Sequence, residues 1–383
     1  MLPFSYAARN LLRNPGRFLQ KLAGSVLILF LLLAAAAFNE GMERLLQASG
    51  SPETVIFLGA GSEESVERSQ IPVQTESMVM AGVPGIARRA GVLAVSGEIN
   101  HMGLIGVGRG KDVQAVMRGI RPAAFEVHRE ARISEGLFPR MGEVLVGRLA
   151  AHSLGIEPEA LKPGKRIEVE EESYTVAGVF EAEGTVLESE IWFNRQDLMT
   201  LIQRDTLSAV VVRMESAQGY ALADLFAKQR LDLELAAVPE STYYANLARF
   251  YGPIRGMTWL TAALVGIGAV MGGLNLLYAS FAARIRELAT LQTLGYGRRA
   301  VLVSLIQESL LVQLLGMVLA ALAAVILIDG SRVQFSMGTF VMELSPPVIL
   351  ASLAAALLLG LLGPLPPAAR SLRMPLPKAL RSH

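Results

Sequence analysis

Four stretches constrain this chain more than any motif in it. Residues 22–38, 257–283 and 347–363 carry no charged side chain, and residues 300–328 carry only Glu308. A helix needs about 20 apolar residues to cross the hydrocarbon core of a bilayer. The two middle runs exceed that length, and the outer two reach it with flanking residues that snorkel or sit at the interface. With 52% of its 383 residues hydrophobic, and that excess clustered rather than dispersed, the chain does not have the pattern of a soluble protein. Four transmembrane helices follow.

Lysine and arginine near the spans set the orientation. Arg9, Arg13, Arg17 and Lys21 precede the first run. Arg284, Arg286, Arg298 and Arg299 lie between the second and third, and Arg370, Arg373, Lys378 and Arg381 follow the fourth; only Glu287 opposes them. Residues 38–257 hold 22 basic and 30 acidic side chains, a net charge of −8. Both termini are therefore expected in the cytoplasm, with the long middle segment and the short loop 329–346 outside. The opening charges and the apolar run ending "AAAAF" also fit a signal peptide, although the run is long for one. There is no cysteine, so no disulfide framework and no thiolate metal site.

The expected order is a cytoplasmic amphipathic segment (1–21), a first span (22–38), an extracytoplasmic domain with helical stalks at both ends (39–256), a second span (257–283), a short cytoplasmic helix (284–299), a third span (300–328), a short outer loop (329–346), a fourth span (347–366) and a cytoplasmic tail (367–383). The fold class is an α-helical membrane protein with four transmembrane helices. A large extracytoplasmic α/β domain, a β-α-β subdomain with a β-rich subdomain inserted into it, stands between the first two.

Local patterns support this reading of the middle segment, which is long enough to bury its own core. "TVIFL" is strand-like and Gly59 and Gly61 stop it. "VQTESMVMAGVPGI" predicts a short helix and "GVLAVSGEI" a strand. "LSAVVVRM", "AQGYALADLFAKQR" and "LDLELAAV" predict a second strand-helix-strand unit like the first. Between them, "GEVLVGRLAAHSLGI" reads as a strand and a short helix ended by Gly155, and "PGKRIEVEEESYTVAGVFE" as two strands with a turn at 171–173. "SEIWFNRQDLMTLI" reads as a strand and a helix capped near Asn194. The acids of "EVEEES" are expected on a solvated strand edge that resists aggregation, with a cation site as the alternative. The first span can continue outward through 41–48. After Pro239, the aromatic residues through Trp259 suit a helix that runs down into the membrane interface.

Catalytic constellations are missing. "GVGRGK" has the wrong spacing for a phosphate loop and reads as a β-turn. His101, His128, His152 and His383 are scattered, without ligand-pair spacing, and no G-x-S-x-G elbow occurs. Glu308 is the one ionisable group inside a span, where an unpaired carboxylate is costly. It is either a proton or substrate relay, or else it makes an interhelical hydrogen bond or lies near the cytoplasmic interface.

The segment "RIRELATLQTLGYGRRAVLVSLIQESLL" resembles the most recognisable stretch of the FtsX-like/MacB-type permeases of ABC transporters, through Arg284, Glu287, Leu288, Ala289, Leu291, Leu294, Gly295, Arg298 and Glu308. Tyr296 stands where alanine is usual and Gln292 where arginine is common. "ARNLLRNPGRFL" is similar to the family's opening and "PAARSLRMPLPKALR" to its close. The outer segment around 143–181 looks like the family's external domain, with Lys165 where aspartate is common. The resemblance spans nearly the whole chain.

It implies a permease subunit of the MacB/LolCDE mechanotransmission type in the bacterial cytoplasmic (inner) membrane, without a fused ATPase domain. Residues 284–294 would be a coupling helix that docks on an ATPase, with Leu288, Leu291 and Leu294 as its apolar stripe and Gly295 as the left-handed residue that ends it. Two copies of the ATPase would bind ATP and magnesium; this chain would hold no cofactor and no catalytic residue. The other implied partners are a second permease chain, identical or not, a periplasmic adaptor or acceptor protein, and membrane lipid; nucleic acid is not among them. The work done would be export or extraction of a lipoprotein, lipid, peptide or drug-like molecule. The alternative is an FtsX-like signal transmitter that regulates a cell-wall hydrolase.

Overall fold

A computed structural model describes residues 6, 9–11, 13–106, 112–182, 184–335 and 338–372. The turn read at "GVGRGK", beyond its first glycine, and the tail beyond Leu372 lie outside them. The chain divides into two units. One comprises Met1–Gly41, Pro253–Ser331 and Met342–His383; the other comprises Met42–Gly252 and Arg332–Val341.

The outer unit is built on β1 (Thr54–Gly59), β2 (Val95–Gly106), β3 (Asp112–Ile120), β4 (Arg132–Gly136), β5 (Glu143–Gly147), β6 (Arg166–Val169), β7 (Glu172–Glu181), β8 (Ile191–Asn194), β9 (Ala209–Arg213) and β10 (Leu235–Pro239). Among the described residues these ten strands make one sheet, in the order β10-β1-β9-β2-β3-β8-β5-β7-β4, with β6 paired to β7 and β2. Helix α2 (Thr75–Gly82) connects β1 to β2, and α4 (Tyr220–Gln229) connects β9 to β10. Both connections bridge strands separated by one antiparallel neighbour. The first and last units therefore interlock as two split β-α-β motifs, the ferredoxin-like arrangement.

The inserted β-rich part is not a detached subdomain. The 12-residue strand β2 pairs with β9 through Val95–Glu98 and with β3 through Ile99–Gly106, so the two parts share one strand. Side-chain alternation sends β8 to both faces. Ile191 and Phe193 join the large core with Val55, Phe57 and Val210, while Trp192 faces a second core and stacks on Phe180 at 4.2 Å. Helix α3 (Arg195–Leu201) starts where expected, with the Asn194 side chain accepting the Gln196 N–H.

Two local expectations need correction. The turn between β6 and β7 is at Glu170–Glu171, both at positive φ (47° and 71°), which matches the tight twist a two-residue hairpin requires. The acidic strand is also not a free edge. β6 pairs on both sides, and the Glu170 carboxylate accepts the Leu104 N–H at 2.9 Å.

The segment expected as a short loop is a hairpin, β11 (Arg332–Phe335) and β12 (Gly338–Val341), and it belongs to the outer unit. The buried Thr339 N–H donates to Ser189 Oγ at 2.9 Å, and its hydroxyl lies 2.7 Å from that of Ser153. Gln334 donates to the Ser153 carbonyl.

Among the described residues, four helical stretches are long and apolar enough to cross a bilayer. They are α1 (Pro15–Ala48), α6 (Gly252–Ala282), α8 (Arg298–Leu327) and α9 (Pro346–Leu362) with α10 (Leu365–Leu372). Between the first two stands the β-rich α/β domain. Helix α1 continues past Gly41 to Ala48 without a break, and α5 (Glu240–Phe250) ends at Tyr251, immediately before α6. Small residues set the helix contacts, as expected where lipid supplies no hydrophobic drive. Gly316, Ala320, Ala324, Ser352, Ala356 and Gly360 are buried on α8 and α9. A Cβ at Gly316 would fall 2.1 Å from Ser25 Oγ, so α1 and α8 touch there.

Candidate functional site

The stretch between the second and third spans forms α7 (Ile285–Thr293). Leucine, alanine, glutamate, glutamine and arginine all favour a helix. It stops at Gly295, whose φ of +93° an L-residue adopts only with strain. The Tyr296 N–H closes the end on the Leu291 carbonyl, and Gly297 is extended before α8 begins.

The leucine stripe does not face outward as one surface. Leu288 is buried with Phe281, Val301, Leu305, Ala368 and Leu372, Leu291 is half-buried beside them, and Ala289 is buried as well. Leu294 is 70% exposed. At 3.6 residues per turn, each step of three falls about 60° short of a full rotation, so Leu294 points about 120° from Leu288. Accessible instead are Arg286, Thr290, Thr293, Leu294, Gly295, Tyr296, Arg298 and Arg299.

Arg284 is buried. Its Nη1 donates to Glu308 Oε2 at 3.0 Å and its Nε to Glu287 Oε2 at 3.3 Å. Glu308 also accepts from Asn10 Nδ2 at 2.9 Å and has Lys21 Nζ at 3.9 Å. Lys21 in turn donates to Ser280 Oγ at 3.2 Å. Glu287 pairs with Arg13 at 2.6 Å. Of the two readings of Glu308, this geometry matches the interhelical one.

Sequence reasoning missed a second constellation, in the outer unit. Arg118 on β3 donates Nε and Nη2 to the two oxygens of Glu190, both at 2.7 Å, and Nη1 to Glu98 at 2.7 Å. His128 Nε2 lies 2.9 Å from the other Glu98 oxygen, and Trp192 Nε1 donates to Glu190 at 2.7 Å. All are buried. Glu240, the first residue of α5, is buried too and accepts the Ser51 N–H at 3.1 Å. Burial pushes the Glu98 carboxyl up, but the charges and hydrogen bonds of His128 and Arg118 prevail and hold it at about 2. Burial opposes the charge on His128, yet Glu98 and Glu130 raise it to about 10. Glu240 has weaker compensation, and burial lifts it to about 7. An arginine inside the strand "DVQAVMRGI" was the available signal.

Comparison with known proteins follows the same division. The MacB-like periplasmic core domain matches residues 22–224, and the FtsX-like permease C-terminal domain matches residues 259–376. No curated protein matches the chain. Three solved structures resemble the outer part. The extracellular domain of the noncanonic ABC-type transporter YknZ from Gram-positive bacteria is 16% identical, with TM-score 0.37, covering 48% of this chain and 97% of that one. The periplasmic region of MacB from Actinobacillus actinomycetemcomitans is 14% identical, with TM-score 0.38, covering 53% and 95%. A domain of a putative permease from Porphyromonas gingivalis is 15% identical, with TM-score 0.34, covering 50% and 93%. The two family matches fall in chain order on the outer domain and on the closing three spans, and the chain belongs to the FtsX-like/MacB-type family of ABC transporter permeases.

Proposed function

We propose that this chain is the membrane subunit through which a separate ATPase moves the outer domain, for export or membrane extraction of a substrate. The observation that carries this is α7, a short helix between two spans, bounded by Arg284 before it and Arg298 and Arg299 after it, with one face packed into its own bundle and the other end exposed. The ATPase docks on that exposed end, at Leu294 and Tyr296, with Arg286, Arg298 and Arg299 meeting acidic partner side chains. ATP and magnesium stay on the ATPase. Displacement of α7 tilts the spans, and α1, which runs unbroken from Pro15 to Ala48, carries the tilt outward. The β11–β12 hairpin gives the segment between α8 and α9 its own grip on the outer domain. A paired permease chain completes the assembly. Regulation of a cell-wall hydrolase would use the same movement, and identifying what binds the outer domain separates the two uses.

Leu294→Glu should leave insertion and folding intact but reduce co-purifying ATPase about tenfold or more, because an unpaired charge in an apolar contact costs more than 1.4 kcal/mol. Leu291→Glu is a different case: it strikes the chain's own apolar cluster and should lower the stability of the permease itself. Wild-type ATPase stoichiometry with Leu294→Glu would remove the docking assignment.

The membrane is the bacterial cytoplasmic one, with the α7 side in the cytoplasm. In this cysteine-free chain, Ser173→Cys should react with an impermeant maleimide in intact spheroplasts, and Thr293→Cys only after permeabilisation. The reverse labelling pattern would invert the topology.

A further inference from the structure

The connection between α7 and α8 is a poor transmitter of force. It is short, and it contains Gly295 at positive φ and Gly297 in extended conformation. A tilt of α7 has to reach α8 through side chains. Two contacts are placed for this, and they differ in kind. Leu288 meets Val301 and Leu305 in an apolar cluster, which resists separation but is non-directional and permits sliding. Arg284, at the start of α7, reaches Glu308, ten residues inside α8, about 15 Å along its axis. Its Nη1 lies within 3.4 Å of both carboxylate oxygens. Charge-assisted hydrogen bonds have angular preferences that apolar contacts lack. Two separated contacts along α8, one of them directional, fix the angle between the helices.

The same carboxylate collects two further elements. Asn10 brings in the segment before α1 and Lys21 brings in α1 itself. Lys21 also reaches Ser280 on α6. Glu287 adds a tie from α7 to Arg13.

We propose that Arg284 and Glu308 are positioning residues that weld the short cytoplasmic helix α7 to α8 and α1, so that these elements turn as one body when α7 is displaced. The use of this weld in ATP-driven movement rests on the docking reading above, but the weld is a property of the chain alone.

The test uses the full chain in lipid nanodiscs, spin-labelled through Thr293→Cys at the exposed end of α7 and Ile326→Cys on the exposed far end of α8. Pulsed EPR distances are measured alone, with the ATPase, and with nucleotide. The unmodified pair should give one narrow distribution that nucleotide does not shift. The double replacement Arg284→Met with Glu308→Leu removes both charges at similar volume, a change that often leaves stability unaltered. Its distribution should be about twofold broader, because only the non-directional contact remains. With the ATPase present, it should keep hydrolysing ATP while outer-domain movement is lost. Arg284→Lys, which keeps the charge, should stay close to the narrow distribution. A narrow distribution in the double variant, or a nucleotide-dependent shift in the unmodified pair, overturns the weld. If the double variant unfolds, Arg284→Lys against Arg284→Gln makes the same comparison with one side chain. Failure of the ATPase to bind the unlabelled chain counts against the docking reading, and the distances on the labelled chain alone still decide the weld.

Discussion

Arg118→Leu should be the most damaging single substitution in the outer unit, lowering stability by about 3–5 kcal/mol. The guanidinium is the shared partner of Glu190 and Glu98. Among the described residues, removing it leaves the buried Glu190 side chain with the Trp192 N–H and Glu98 with His128. Breaking a buried pair from one side costs far more than the pair itself contributes, because the remaining charge has lost its water and its partner. At about 2–4 °C per kcal/mol for a domain of this size, the thermal midpoint should fall by roughly 6–20 °C. Arg132→Leu is the control. Its pair with Glu181 is 3.3 Å long and the arginine is 73% exposed, so the loss should stay below about 1 kcal/mol. Equal shifts for the two variants would mean that the buried network is energetically idle.

Glu240→Gln should change how the outer unit responds to pH. Glu240 titrates near 7 in the folded chain, above the ordinary 4.5. A raised folded pKa means that the folded state holds the proton more tightly. The resulting stability is fully present below about pH 4.5 and is lost as pH rises through 7. At about 1.4 kcal/mol per unit, the loss is roughly 3 kcal/mol. Glutamine cannot ionise but can still accept the Ser51 N–H, so the variant should be nearly flat between pH 4.5 and 7. His128 acts at higher pH. Raised from 6.5 to about 10, its contribution fades between those values, and that decline should persist in the variant. Glu98 runs the other way: held at about 2, it stabilises above 4.5 and loses its contribution in acid. Denaturation curves at pH 5 and 7 suffice. Parallel falls in the parent and in Glu240→Gln would assign the pH response elsewhere.

What could be read from the residues alone depended on whether local spacing carries the answer. The spans, the strand-helix-strand units that open and close the outer domain and the Asn194 cap are all written in contiguous stretches of sequence. The partners in the ion network are not local. Glu98 and Arg118 come from β2 and β3, and Glu190 stands just before β8, so the three meet only when those strands pair. The α7 stripe shows a subtler failure. Spacing of i, i+3, i+6 marks a helix correctly but drifts around it, and what covers Leu288 arrives from α8 and α10, far along the chain. Arg284 and Glu308 were each visible as residues, yet nothing in their 24-residue separation says that one would be folded back onto the other. The hairpin was hidden by context, since "RVQFSMGTFV" alternates like a strand pair but lies in what looks like a minimal link between two spans.

That hairpin makes the outer domain discontinuous in synthesis. Met42–Gly252 leaves the ribosome first, but the strands that cover Ser153 and Ser189 follow only after residues 253–331 have been made. At about 5–20 residues per second the wait is several seconds. Until then the site for Thr339 and Phe340 stays open. The domain reaches its final state only once the third helix has been inserted, so completion of the outer fold reports that insertion of the membrane part has succeeded. A fragment cut at Gly252 would be held permanently at the earlier stage.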